Sequence, residues 1–323
     1  MRVARLFPTA VLLSLQAQAQ SADAATKLRN LLRDTPPLSV EQVPMASRMA
    51  NAASLGTVSS VAADPNQVIY VLQRGDKADP ILAVDQEGRV LRSWGKGMFT
   101  VPHSVRVDPE GNIWTVDAGS SLVLKFSPEG KKLQEISVGE IATGSKCAFP
   151  TLCGTTDVAF ASNGRLFISD GYGNARILEY SPNGQRVNVF GSAGRGPGQF
   201  QIPHGIAVDG NILYVADRGN ARIQRFDLSG RYLGEWTHLG RPFALKITGG
   251  ALWIATMTLE QAGQTPRAAP WLLKVDLATG KVLGQIESPG PHSIDVSERG
   301  ELFASGCCGG SNPNGFSWFR RTR

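Results

Sequence analysis

Short apolar runs separated by turn residues recur along most of the chain, and residues 199–226 show the pattern most clearly. Ile206–Val208 and Ile212–Ala216 flank a Gly210-Asn211 turn, and a second turn at Arg218–Ala221 leads into Arg222–Phe226. The runs are too short for helices and are bounded by turn residues, so they predict three antiparallel strands. A sheet this small cannot bury both faces alone, which predicts that copies of it stack on one another.

Copies begin after residue 50. Aligned on the first strand they read Val58-Ser-Ser-Val61, Pro102-His-Ser-Val105, Thr155-Thr-Asp-Val158, Pro203-His-Gly-Ile206, Pro242-Phe-Ala-Leu245 and Pro291-His-Ser-Ile294. A second strand comes next in each copy: Val68–Leu72, Ile113–Val116, Leu166–Ser169, Ile212–Ala216, Leu252–Ala255 and Leu302–Ala304. A third lies at Ile81–Val84, Leu122–Phe126, Ile177–Tyr180, Ile223–Phe226, Leu272–Val275 and Phe316–Phe319. Turns such as Pro128-Glu-Gly130 and Pro182-Asn-Gly184 lead to a fourth strand in most copies. The copies are spaced by 44, 53, 48, 39 and 49 residues, close to the roughly 40–50-residue period of four-stranded propeller blades. Six copies predict an all-β, six-bladed propeller in which each sheet is buried against the next. A solenoid, the other repeat architecture, would show a helix or a shorter period. Insertions fall at 137–153 and 258–270, and the sixth copy is short at its outer edge, where a strand from the N-terminal arm could complete it.

Thirty-six glycines and nineteen prolines in 323 residues agree with a turn-rich chain. Residues 1–20 read as a secretory signal, with Arg2 and Arg5, the apolar run Leu6–Leu15 and the cleavage pattern Ala17-Gln18-Ala19. Residues 21–50 form an arm, with helical spacing over Ala25–Arg33 halted by Pro36-Pro37, and residues 51–323 form the propeller. A secreted or periplasmic location is expected. No later apolar stretch is long enough to span a bilayer. The formal charge of +6 falls to +4 without the signal, and the arginines are scattered, which argues against nucleic-acid binding. Four cysteines remain, Cys147, Cys153, Cys307 and Cys308. Export permits disulfides and four cysteines allow three pairings. A short ring between Cys147 and Cys153 is open, whereas a bond between the adjacent Cys307 and Cys308 would be strained.

The histidines carry the most chemical information. Of four, His103, His204 and His292 occupy one repeat position, after a proline at the start of the innermost strand, in the second, fourth and sixth copies. Alternate blades of a six-fold ring lie about 120° apart, so these side chains converge on the axis. Three imidazoles at one point are a metal site, and a three-histidine set with an open position is a catalytic zinc arrangement. A mere packing role for the Pro-His pair would not produce this alternation. His238 lies between copies, outside that register. The loop after the second strand returns to the same face as the start of the first. It carries Arg74, Asp117, Asp170, Tyr172, Asp217 and Arg218. The aspartates are read as caps on loop backbone. Arg74, Tyr172 and Arg218 are either packing residues or the rim of the histidine site. An arginine offers a fork to a carboxylate, and a tyrosine beside arginine can have its pKa lowered toward that of a base.

Several stretches in order resemble the peptidyl-α-hydroxyglycine α-amidating lyase family, a six-bladed NHL-repeat propeller. They are Arg74-Gly75-Asp76, Phe99-Thr-Val-Pro-His103, Thr156-Asp157-Val158-Ala159, Ser169-Asp-Gly-Tyr172, Pro197-Gly-Gln-Phe200 with Pro203-His204, Ala216-Asp-Arg218 with Arg222-Ile-Gln224, and Pro291-His292. The resemblance runs from about Val58 to Ala304. It implies zinc on His103, His204 and His292, Tyr172 as catalytic base, and Arg74 and Arg218 in the active site. It implies cleavage of the N–Cα bond of a peptidyl or N-acyl α-hydroxyglycine to an amide and glyoxylate. It also implies a calcium ion on backbone carbonyls matching those of Val61 and Val105. The aspartate completing that site is Ser293 here, and loss of the carboxylate weakens a hard-cation site. A methionine of the family is Gly290. Of the two family disulfides, Cys153 matches one half with Gly173 at its partner position, and Tyr214 and Arg225 stand at the other pair, leaving Cys147 as the substitute partner. No copper monooxygenase module is present, so a separate hydroxylase would supply substrate. The rival expectations are a non-catalytic NHL propeller that binds a peptide or protein, and a propeller lactonase, against which the axial histidines argue.

Overall fold

The structure is a computed structural model, and it describes residues 23–43, 54–139, 153–257, 270–288, 292–306 and 315–322. The signal segment, Cys147, Cys307, Cys308 and Gly290, and with them the expectations placed on those residues, lie outside the described residues.

Six four-stranded antiparallel sheets account for nearly all the regular structure. Blade one runs through Val58–Ala63, Ile69–Gln73, Ile81–Val84 and Val90–Trp94. Blade two begins at Pro102–Val107, blade three at Asp157–Phe160, blade four at Pro203–Asp209, blade five at Arg241–Thr248 and blade six at Ser293–Val296. The six first strands touch in sequence, and the sixth touches the first, closing a ring. This is the expected propeller, and closure removes the exposed sheet edges that an open stack would leave.

The burial pattern reflects position in the blade. Inner and middle strands are mostly buried, the run Ile113–Asp117 completely so, because both faces are covered by neighbouring blades. Outer strands alternate exposed and part-buried positions, as in Val90–Trp94. Among the described residues the core divides into six apolar clusters, one between each pair of adjacent blades. Each sheet is therefore stabilised mainly by its two neighbours, which is why a single copy would not fold alone.

The arm closes the ring. Strand Val40–Val43 pairs antiparallel with Phe316–Arg321 and supplies the outer strand that blade six lacks in its own sequence. The helix over residues 23–34 buries Ala24, Ala25, Leu28 and Leu32 as one stripe. Leu28 and Leu32 join the cluster between blades four and five. The last turn of the helix would leave carbonyls unpaired, and the Gln285 amide answers by donating to Leu32 O at 2.8 Å and Thr35 O at 2.7 Å. Over its described residues the arm is thus packed on the propeller through both its helix and its strand. Among the described residues, no helix is long and apolar enough to cross a membrane.

Candidate metal centre

Four of the inner strands open on an irregular ladder step. The register shifts between Val58 and Ser60, between Pro102 and Ser104, between Pro203 and Ile206, and between Pro242 and Ala244. Such bulges re-aim a side chain that would otherwise lie between sheets. At this position the six blades carry Ser59, His103, Thr156, His204, Phe243 and His292. The three imidazoles form a nearly equilateral triangle, with ring centroids 4.9, 4.8 and 4.8 Å apart. One nitrogen from each lies within 4.8 Å of the others, and no other group of three histidine, cysteine, aspartate or glutamate side chains converges this way among the described residues.

The residues between the histidines orient them. His103 Nδ1 donates to Thr156 O at 2.6 Å, His204 Nδ1 to Phe243 O at 2.7 Å, and His292 Nδ1 to Ser59 O at 3.1 Å. A carbonyl only accepts, so each Nδ1 carries the proton and each Nε2 presents a lone pair. Each even blade thus leans its histidine on the equivalent residue of the next blade, in a three-fold pattern that fixes the ring tautomer for metal ligation. Burial lowers the pKa of His103 and His204 well below the usual value, and neighbouring imidazoles and arginines lower it further. His292 is lowered to about 3 by burial, with Arg74 and Arg218 adding. The rings are therefore neutral, the form that ligates a metal ion. Close backbone approach is part of the arrangement. A Cβ on Gly205 would meet Phe243 O at 2.8 Å, and one on Gly171 would meet Pro203 O at 1.9 Å.

Gly171 also sets Tyr172 over the triad. The Tyr172 hydroxyl lies 3.0 Å from His103 Nε2 and 3.0 Å from His204 Nε2. Arg218 hydrogen-bonds to it, and Arg74 lies close enough to interact with it electrostatically. The Arg218 guanidinium also stacks 4.2 Å above the Phe243 ring. Arg74 Nε donates to Pro102 O at 2.9 Å, fixing that side chain beside His103. The loops after the second strands therefore do meet the starts of the first strands, and Arg74, Tyr172 and Arg218 surround the histidines. Burial lowers the pKa of both arginines. The expected lowering of the Tyr172 pKa is corrected: burial raises it, and the pull of Arg218 and Arg74 does not overcome that in the protein alone.

Two of the three aspartates of the same loops, Asp117 and Asp217, cap backbone as expected, whereas Asp170 accepts from side chains. Asp117 accepts from Thr100 N and Val101 N, both at 2.6 Å, and Asp217 accepts from Gln201 N at 2.8 Å. Asp170 holds Asn174 and Arg176. His238 takes no part at the axis and contacts Gly280 O instead. Phe243, which orients His204 and stacks on Arg218, escapes a search for chemistry-bearing residues because it is apolar. Its signal is its register, since it occupies the histidine position of blade five.

A second polar layer lies one to three residues further along the inner strands. Arg106 donates through Nε to Asp157 Oδ1 at 2.8 Å, through Nη2 to Oδ2 at 2.5 Å, and through Nη1 to Ile294 O at 3.1 Å. Burial works against the Arg106 charge, yet Asp157 beside it raises the pKa above its ordinary value. The Ser60 and Ser293 hydroxyls bond to each other at 2.9 Å. This layer bears on the calcium site, which Ser293 already leaves without its carboxylate. The residues around Val61 and Val105 offer no spare carboxylate, because Asp157 is engaged by Arg106 and Asp295 by Lys246 at 2.6 Å. The donor set does not fit a hard divalent cation.

The model of the NHL repeat matches residues 200–226, the stretch in which the blade pattern is clearest. Peptidylglycine alpha-amidating monooxygenase of Rattus norvegicus is 35% identical over 77% of the chain, which spans 29% of that protein's length. A Caenorhabditis elegans protein named as a probable peptidyl-alpha-hydroxyglycine alpha-amidating lyase is 30% identical over 70% of the chain and 66% of its own length. The chain belongs to the peptidyl-α-hydroxyglycine α-amidating lyase family of NHL-repeat propellers. Human NHL repeat-containing protein 3 is also similar, at 30% identity over 76% of the chain and 74% of that protein. Of solved structures, a streptogramin B lyase (TM-score 0.56, 18% identity, 88% of this chain and 87% of that one) and a Xanthomonas campestris gluconolactonase (0.57, 17%, 88% and 95%) share the fold. The chain spans about three tenths of the rat enzyme, so what the whole of that protein does is not carried over from it.

Proposed function

We propose that the chain is a zinc-dependent lyase that cleaves the N–Cα bond of a peptidyl or N-acyl α-hydroxyglycine, giving an amide and glyoxylate. The observation that carries this reading is the Tyr172 hydroxyl held 3.0 Å from two tautomer-fixed imidazoles, beside two half-buried arginines. His103, His204 and His292 are the residues that would hold the zinc ion. A Lewis acid there would supply positive charge against the oxygen that becomes the aldehyde, and would draw the phenol toward its ionised form.

The remaining steps belong to side chains. Arg74 and Arg218 are half-buried, and among the described residues no carboxylate lies within ion-pair distance of either, although Asp117 acts on Arg74 electrostatically. An anionic substrate group would offset the cost of holding the two cations there. The α-hydroxyglycine carboxylate is such a group, and a guanidinium fork binds it with defined orientation. With the carboxylate held, the substrate hydroxyl falls to Tyr172. The phenolate takes the hydroxyl proton, the C–O bond gains its second bond, and the N–Cα bond breaks. The departing amide nitrogen needs one proton, and Tyr172 carries it. The equation balances with no water, which makes the reaction an elimination. A hydroxylase acting on the glycine α-carbon would supply the substrate, and the signal-like segment supports action outside the cytoplasm.

The second reading is an NHL propeller that binds a peptide or protein partner without turnover, and the likeness to a protein named only for its NHL repeats is compatible with it. Metal analysis coupled to glyoxylate release from an acyl-α-hydroxyglycine, with and without chelator, separates the two. About one zinc per chain with chelator-sensitive release supports the lyase. Full metal occupancy with no release supports the binding module.

A further inference from the structure

We propose that the Arg106 guanidinium is the structural cation of the propeller axis, standing where the ring would otherwise need a second, oxygen-bound divalent ion, so that the fold carries one metal ion per chain, at the histidines. The geometry of the axial layer carries the assignment of Arg106, and only the count of one metal ion at the histidines rests on the proposed zinc site.

Six inner strands converge on the axis, and in this layer they bring together the hydroxyls of Ser60, Ser104 and Ser293, the Asp157 carboxylate and the Ile294 carbonyl, acceptors that a positive charge among them attracts. Arg106 supplies one from inside the chain. Its side chain is 9% exposed and that of Asp157 is 4% exposed. Through that ion pair four blades are joined. Arg106 and Ser104 belong to blade two, and Ser104 Oγ donates to Asp157 Oδ1 at 2.8 Å. Asp157 belongs to blade three and accepts from Ile206 N of blade four at 3.3 Å. Ile294 of blade six accepts from Nη1. Two flanking contacts complete the ring. Ser60 of blade one accepts from Val105 N at 3.0 Å and bonds Ser293 of blade six. Lys246 of blade five pairs with Asp295, which accepts from Ala63 N of blade one at 2.6 Å.

Charge and coordination both argue against a second metal ion in this layer. Each carboxylate here is already neutralised, by a guanidinium or by an ammonium. A divalent ion would have to break the bidentate Arg106–Asp157 pair and then sit beside two cations. Calcium needs six to eight oxygen ligands, carboxylates prominent among them. Ser293, which could offer a hydroxyl, is already bonded to Ser60.

The test uses the full chain loaded with zinc. Calcium is titrated while the melting temperature and bound metal are measured. The expected result is no bound calcium and an unchanged melting temperature. Stoichiometric calcium with a rise in melting temperature overturns the proposal. Arg106→Met, similar in length but uncharged, is expected to melt lower at every calcium concentration while keeping its zinc; melting like wild type counts against the proposal. The double variant Arg106→Ser with Ser293→Asp removes the internal cation and adds a carboxylate. It is expected to melt lower than wild type without calcium and to recover with it, and indifference to calcium in a folded double variant also counts against the proposal. If neither variant folds, the wild-type titration still decides.

Discussion

At the mouth of the axis three imidazoles face one another, neutral, and among the described residues no carboxylate belongs to the set whose ligand atoms converge. One to three residues further along the same six strands, Arg106, Asp157, Lys246 and Asp295 are charged and paired with one another. Both layers use the same strand starts. The first aims three Nε2 atoms at one point, two of them against the Tyr172 hydroxyl, and the second pairs its charges internally. A layer built to take a ligand thus sits directly on a layer built to hold the ring, and the two are separable by experiment.

The largest effect is expected at the upper layer. His204→Ala removes one of three ligands, so the protein should lose its metal by elemental analysis and its glyoxylate release with it, while the fold, read by circular dichroism, stays. Tyr172→Phe comes next. It should retain metal and lose turnover by about 10²–10⁴-fold, the usual worth of a positioned acid–base group. Undiminished release from that variant would remove Tyr172 from the chemistry. The lower layer should behave in the opposite sense. Asp157→Asn leaves the Arg106 charge buried without its counter-ion and should cost about 3–5 kcal/mol in urea unfolding, with zinc content maintained. If Asp157→Asn instead lost metal at unchanged stability, the division between the layers would fail. The smallest effect is expected at Phe243→Leu. The backbone carbonyl that orients His204 remains, while the stacking under Arg218, worth about 0.5–2 kcal/mol, is lost along with edge contacts to the His204 and His292 rings. That change should appear as a several-fold rise in KM with kcat little altered, and Phe243→Tyr should restore it.

Much of the upper layer is legible in the amino-acid sequence. A blade buries its faces only against its neighbours, so equivalent strand starts have to converge, and histidines at alternate copies have to meet. The same logic places Arg74, Tyr172 and Arg218 near them, because an antiparallel strand returns to the end from which its neighbour set out. The short outer edge of blade six points to the arm, and Val40–Val43 fills it. The lower layer is not legible in this way. Arg106 stands in the register occupied by Ala62, Ala159 and Ala207 in other blades, and nothing in a scattered set of arginines marks one as axial. The direction of the Tyr172 pKa is also hidden, since proximity to arginine is readable from a repeat but the depth of burial is not.

The amino-acid sequence by itself determined the number of blades, the register of their strands and the residue types brought to the axis, because apolar periodicity and turn chemistry act over a few residues and repeat with the chain. Only the tertiary structure decided which donor meets which acceptor. The partners Thr156, Phe243 and Ser59 of the three histidines, and the Asp157 and Ile294 partners of Arg106, come from different blades. Those contacts depend on bulges, close backbone approaches and closure of the ring, and local sequence preference does not encode distances across it.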